Sequence, residues 1–94
     1  MKIVWTPEAE FDRVEIWDAI AADSPRAALR MDALFSDSIS TLASHPRIGR
    51  EGQISGTREL TPHASYRVIY EIEGETVWIL ALVHTARLWP PVRG

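Results

Sequence analysis

Arg67 and His84 are the side chains whose types and spacing best suit chemistry in this sequence. They stand on two β-rich runs, Ser65–Glu73 and Glu75–His84, that meet at Gly74-Glu75. A two-residue loop opening on Gly fits a type II′ hairpin turn, and strand alternation then assigns each residue to a face. That register pairs Glu73 with Thr76, Tyr70 with Ile79 and Tyr66 with Val83. It places Arg67 and His84 on one face near the open end of the hairpin. Arg58 could join them from the neighbouring strand, and Arg87 follows three residues past His84. A guanidinium stabilises negative charge developing on a phosphate, and an imidazole transfers a proton near neutral pH. Such a set could cleave RNA by 2′-hydroxyl attack without a metal. The competing reading is structural: Arg58 and Arg67 pair with Glu59 and Glu71, and His84 only ends its strand. Spacing alone favours this second reading, because structural ion pairs outnumber active sites.

Other chemical signatures are missing. No Gly-rich phosphate loop precedes a helix, and there is no His–Glu zinc helix and no nucleophile elbow. His45, His63 and His84 lack ligand spacing, and Cys is absent, so neither a metal nor a cofactor is expected. The lack of Cys also removes a disulfide framework and makes a reducing cytoplasm the default expectation. The net charge is −3, whereas nucleic-acid binders carry excess positive charge for phosphate neutralisation. Nine of the ten cations are Arg, the side chain whose planar fork suits carboxylates and phosphates.

The elements that must position these residues follow from periodicity. With 94 residues, 46% hydrophobic and 24% charged, the chain fits one globular domain, 1–94, and not a disordered segment. Its longest apolar run, Val77–Val83, falls far short of the ~20 residues of a membrane span. The start, Met1 to Trp5, meets Pro7 and acidic residues and has no signal-peptide core. Lys2–Trp5 reads as a strand. Thr6-Pro7 is a helix-start signal, cap then first-turn proline, and predicts a helix over Pro7–Ala22. Ala9, Ile16 and Ile20 line its inner face, with Val14 and Trp17 at the edge, Arg13 anomalously in the middle and Phe11 pointing elsewhere.

Ser24-Pro25 repeats the start signal, and Ala28, Met31, Phe35, Ile39 and Leu42 form the stripe of a second helix, Pro25–Ala43. The short connection requires an antiparallel helical hairpin. His45–Gly56 reads as a loop and Thr57–Thr61 as a strand. On the β-hairpin, the face of Tyr66, Val68, Tyr70 and Ile72 opposite Val83, Ala81, Ile79 and Val77 should pack on the helices. The other carries Arg67, Ile69 and Glu71 opposite Leu82, Leu80 and Trp78. It too is apolar, and the tail Thr85–Gly94, with Pro90-Pro91, cannot form a long covering helix. A bare apolar patch on a small chain points to a partner. The alternative is that Leu88 and Trp89 of the tail fold back over it.

Trp5-Thr6-Pro7 with Ala9, Asp12, Ile16, Trp17 and Ile20 resembles the opening of the RelE/ParE superfamily of bacterial toxins. The resemblance continues through His45-Pro46-Arg47-Ile48-Gly49, Gly56-Thr57-Arg58-Glu59-Leu60, Tyr66-Arg67-Val68-Ile69-Tyr70 and the run Val83 to Pro90. It covers nearly the whole chain in order and lies closer to the ParE branch. It implies an α/β (α+β) fold: an N-terminal strand, an antiparallel helical hairpin, a three-stranded antiparallel meander and a short tail. It implies a cognate antitoxin as partner in a hetero-oligomer, seated on Ile69, Trp78, Leu80 and Leu82, and no membrane. A ParE-like member poisons DNA gyrase without being an enzyme, leaving Arg87 and Trp89 as target contacts. A RelE-like member instead is a metal-independent endoribonuclease that cuts mRNA on the ribosome, with Arg67, His84 and Arg58 as its catalytic residues. A third reading, an inactive partner-binding remnant, is kept in view because Arg13 stands where the superfamily has an apolar residue.

Overall fold

A computed structural model describes residues 1–91. Residues 92–94, the end of the tail Thr85–Gly94, lie outside the described residues. Five strands, β1 (Lys2–Trp5), β2 (Arg50–Glu51), β3 (Thr57–His63), β4 (Tyr66–Glu73) and β5 (Thr76–His84), form one mixed sheet in the order β1-β5-β4-β3-β2. Two helices, α1 (Pro7–Ala21) and α2 (Pro25–Ser40), cover one face of it. The expected α+β order of strand, helical hairpin and antiparallel meander is present. β1 adds to the meander by pairing parallel to β5.

Local chemistry starts both helices. Thr6 Oγ1 accepts the Ala9 N–H at 3.1 Å and Ser24 Oγ accepts the Ala27 N–H at 3.1 Å, each ahead of a first-turn proline. These bonds satisfy donors that a helix N-terminus otherwise leaves orphaned. The second helix keeps α geometry only to Ser40 and tightens into a 3-10 turn over Thr41–Ala43, so its predicted end is reached by a different winding. That turn still delivers Leu42 to the core, and Ala43 accepts the Met1 amino group at 2.8 Å.

The expected loop His45–Gly56 holds the two residues of β2, which pair antiparallel with Arg58 and Glu59. A strand this short carries no alternation, so it left no pattern to read. The preceding segment is held by Tyr70. Its hydroxyl donates to the Pro46 carbonyl at 2.7 Å and accepts the Gly49 N–H at 2.9 Å. A Cβ on Gly49 would lie 2.5 Å from that oxygen and 2.9 Å from the Glu59 carbonyl, so only glycine fits there.

The β4–β5 hairpin follows the predicted register from Glu73–Thr76 to Tyr70–Ile79. Of the two loop residues, Gly74 alone has a positive φ, +60°, as a type II′ turn requires. Beyond Tyr70 the prediction fails. Ile69 pairs with Ala81, leaving Leu80 as an extra residue on β5, and Tyr66 pairs with His84 instead of Val83. This β-bulge exchanges the two faces of β5 for the rest of its length. Leu82, expected on the outer face, is buried with Val68, Tyr70, Phe35 and Ile39 beneath the helices. Ala81 and Val83, expected inside, join Ile69 on the outer face.

Candidate functional site

The start of α1 serves the edge of β5 just where β1 stops. Thr6 Oγ1 donates to the Ile79 carbonyl at 2.9 Å while it caps the helix. Two residues past the bulge, the Leu82 N–H donates to Asp12 Oδ2 at 3.0 Å. The side chains of Asp12 on α1 and of its cap Thr6 therefore continue a ladder that β1 is too short to complete. Burial raises the Asp12 carboxyl above its ordinary value, while the Leu82 N–H and the positive charge of Arg87 act in the other direction. Asp12 shares a helical stripe with Ala9 and Ile16. A carboxylate on an apolar stripe is the sequence signal that could have revealed this acceptor.

Arg13 is resolved in the same region. It forms a fork with Asp32 of α2, Nε to Oδ1 at 2.6 Å and Nη2 to Oδ2 at 2.8 Å, and its guanidinium lies 4.9 Å from the centre of the Trp5 ring. The Asp32 hydrogen bond raises the Arg13 pKa further above its ordinary value. The cation in the apolar stripe thus pins the two helices together.

The outer face of the sheet carries a buried ion cluster. Glu59 Oε1 accepts from Arg67 Nη1 at 3.2 Å and lies 3.6 Å from Arg50 Nη2, and the Gln53 N–H donates to Oε2 at 3.3 Å. The Glu59 side chain is 1% exposed and that of Arg67 12%, against 70% for Arg50. Arg67 Nε is buried and has no acceptor among the described residues. Beside this cluster, Trp89 and Leu80 pack on Ile69, Ala81 and Val83. The tail does fold back, with Trp89 inward, its indole Nε1 also unpartnered, and Leu88 outward.

The structure does not bring the expected catalytic set together. Arg67 lies on the outer face. His84 pairs with Tyr66 on the helix side, its ring 5.1 Å from the tyrosine ring, and its Nδ1 accepts the Ala86 N–H at 3.0 Å. The bulge at Leu80 is the reason that these two residues part. Arg58 pairs with Tyr70 and turns to the helix side, where its Nη1 donates to the Gly49 carbonyl at 2.8 Å and the Arg47 carbonyl at 3.3 Å. There it lines a cleft of about 480 Å³ with Arg47, Glu51 and Thr57. The structural alternative holds for Arg67 with Glu59, whereas Arg58 uses carbonyls and Glu71 forms no ion pair among the described residues.

The residues expected to meet a partner are also divided. Ile69 and Leu82 are buried on opposite faces, and Trp78 and Leu80 are half-buried. Arg87 is exposed at the start of the tail and Trp89 is partly covered. No cluster of three metal-binding side chains occurs among the described residues, and none of their helices is long and apolar enough to cross a membrane.

A strand, a helical hairpin and an antiparallel meander are the architecture that the resemblance to RelE/ParE toxins implied. Residues 3–89 match the family described as "ParE toxin of type II toxin-antitoxin system, parDE", and the chain belongs to it. It is 37% identical over 92 residues to "Putative toxin Y4kP" of Sinorhizobium fredii, spanning 97% of this chain and 95% of that one. Its fold is similar to a chain of the "Chromosomal ParDE TA system from P. aeruginosa", with a TM-score of 0.78, 23% identity and 89% and 95% of the two chains covered. It is also similar to the "YoeB/ParE toxin from Agrobacterium tumefaciens", with a TM-score of 0.67, 23% identity and 89% and 98% covered. The chain is thus the toxin of a ParDE-type toxin–antitoxin system, a class whose partner is an antitoxin.

Proposed function

We propose that this toxin inhibits growth by binding DNA gyrase and that it does not cut RNA. Membership of the ParE toxin family supports gyrase as the target, and the state of Arg67 argues against RNA cleavage. A ribonuclease needs this guanidinium free to meet a phosphate and close to a proton-transfer group. Here its charge faces Glu59, its side chain is almost buried, and the two imidazoles nearest by register, His63 and His84, both pair with Tyr66 on the helix side of the sheet. Neutralised and covered, it offers little to a polyanion. Arg13, the reason for considering an inactive remnant, holds the helical hairpin together and leaves the toxin reading intact.

The antitoxin, on this proposal, seats on the outer side of β5 at Trp78 and Leu80, and reaches Ile69 by moving Trp89. The exposed Arg87 and Leu88 beside it are left for the target. The chain works as one domain in the cytoplasm. Purified toxin added to gyrase and supercoiled plasmid should accumulate cleaved DNA, and stoichiometric antitoxin should abolish the effect. Absence of DNA cleavage at excess toxin, together with mRNA cuts in translating extracts, would overturn the proposal in favour of the RelE-like alternative.

A further inference from the structure

α1 and α2 each turn a second stripe away from the sheet. On α1 it consists of Phe11, Val14, Glu15 and Asp18, and on α2 of Arg26, Leu29, Arg30 and Ala33, all exposed. Both sets recur at i, i+3, i+4 and i+7, so each is one continuous face. Phe11 is 62% exposed, Val14 57% and Leu29 61%, which is unusual for three large apolar side chains on one helical layer. The charged members complement each other, acidic on α1 and basic on α2. None of these four forms an ion pair among the described residues. Within one copy the two stripes point outward side by side, and the neighbouring Arg13 and Asp32 already satisfy each other across the hairpin.

The Arg13–Asp32 pair fixes which residues of the antiparallel helices lie at the same height. Two steps toward the connecting turn, Glu15 is level with Arg30. Asp18 is then level with the first turn of α2, beside Arg26, and Phe11 with Leu34, itself 39% exposed. A two-fold axis parallel to the helices and lying on this surface preserves heights. It sets α1 of each copy against α2 of the other. Glu15 then meets Arg30, Asp18 meets Arg26, and Phe11 and Val14 lie against Leu29, Ala33 and Leu34. Every contact occurs twice, as an isologous interface demands.

We propose that two copies of this toxin associate hairpin to hairpin through these stripes. Apolar burial supplies the affinity, and the charges set the register and exclude the shifted alternatives. The sheet's outer face and the tail lie on the other side of the molecule and stay open, so a dimer presents two antitoxin surfaces pointing apart.

Sedimentation equilibrium of the full-length protein over a wide concentration range tests this, with circular dichroism to check folding. All the substituted side chains are exposed, so the fold should survive. The wild type should dimerise reversibly. Phe11→Ser should weaken association at least about tenfold, a change of roughly 1.4 kcal/mol. Glu15→Arg and Arg30→Glu should each weaken it, because one substitution strikes two symmetric contacts. The double variant Glu15→Arg/Arg30→Glu should recover most of the wild-type affinity. A wild type that stays monomeric throughout overturns the proposal. So does a dimer indifferent to Phe11→Ser, or a double variant as weak as the two single effects combined.

Discussion

Replacing Arg67 by Met tests the outer-face cluster most directly. Glu59 is 1% exposed at its side chain and would keep only the Gln53 N–H and the distant, mostly exposed Arg50. Removing one partner of a buried pair costs about 3–5 kcal/mol, because the remaining charge is neither hydrated nor paired. The residual contacts to Glu59 put this case near the lower end, about 3 kcal/mol. For a domain of this size each kcal/mol moves the midpoint by roughly 4–8 °C, so Tm should fall by roughly 12–24 °C. The double variant Glu59→Gln/Arg67→Met removes both charges and the unpartnered Nε donor together. Replacing a whole buried pair is often neutral, so most of the stability should return. Urea and thermal melts of the wild type, both single variants and the double variant give the coupling directly. A loss below about 1 kcal/mol for Arg67→Met, or a double variant as unstable as the two single losses combined, would refute the reasoning. The same double variant should remain toxic on induction. Loss of toxicity in a stably folded double variant would return Arg67 to a functional role.

Tyr70→Phe strips the Gly49 N–H and the Pro46 carbonyl of their shared partner and should cost about 1–3 kcal/mol, with faster hydrogen exchange at Gly49. Asp12 has a folded-state pKa above its unfolded value, so its contribution to stability is full below the unfolded pKa of 3.8 and is lost as pH rises through the folded one. Asp12→Asn keeps an acceptor for the Leu82 N–H. Its stability relative to wild type should therefore improve as pH rises from 3.8 toward neutrality, and a flat difference between the two pH–stability curves would contradict this. Asp32→Ala leaves Arg13 able to reach water, since that pair is about one-third exposed, and should cost only about 1 kcal/mol in a urea melt, less at high salt.

Much of this molecule was legible one short segment at a time. Thr6-Pro7 and Ser24-Pro25 start helices, and Gly74-Glu75 turns a hairpin, because each feature is decided by a few neighbouring dihedrals and hydrogen bonds. The stripe of Ala28, Phe35, Ile39 and Leu42 identified the buried side of α2 for the same reason: helical geometry alone maps spacing onto a face. Arg67 and its pairing to Glu59 were among the alternatives that spacing offered. The position of His84 was not recoverable. Val77–Val83 is apolar throughout, so both faces of β5 look alike in sequence and nothing in the pattern marks Leu80 as the bulged residue. Tertiary packing placed the extra residue there. α1 caps the β5 edge at Ile79 and Leu82, and the helices take Leu82 inside while Trp89 takes Ile69, Ala81 and Val83. One inserted residue reverses every later side chain of a strand, which is why local order foretold the elements and only the assembled sheet decided which cations face which side.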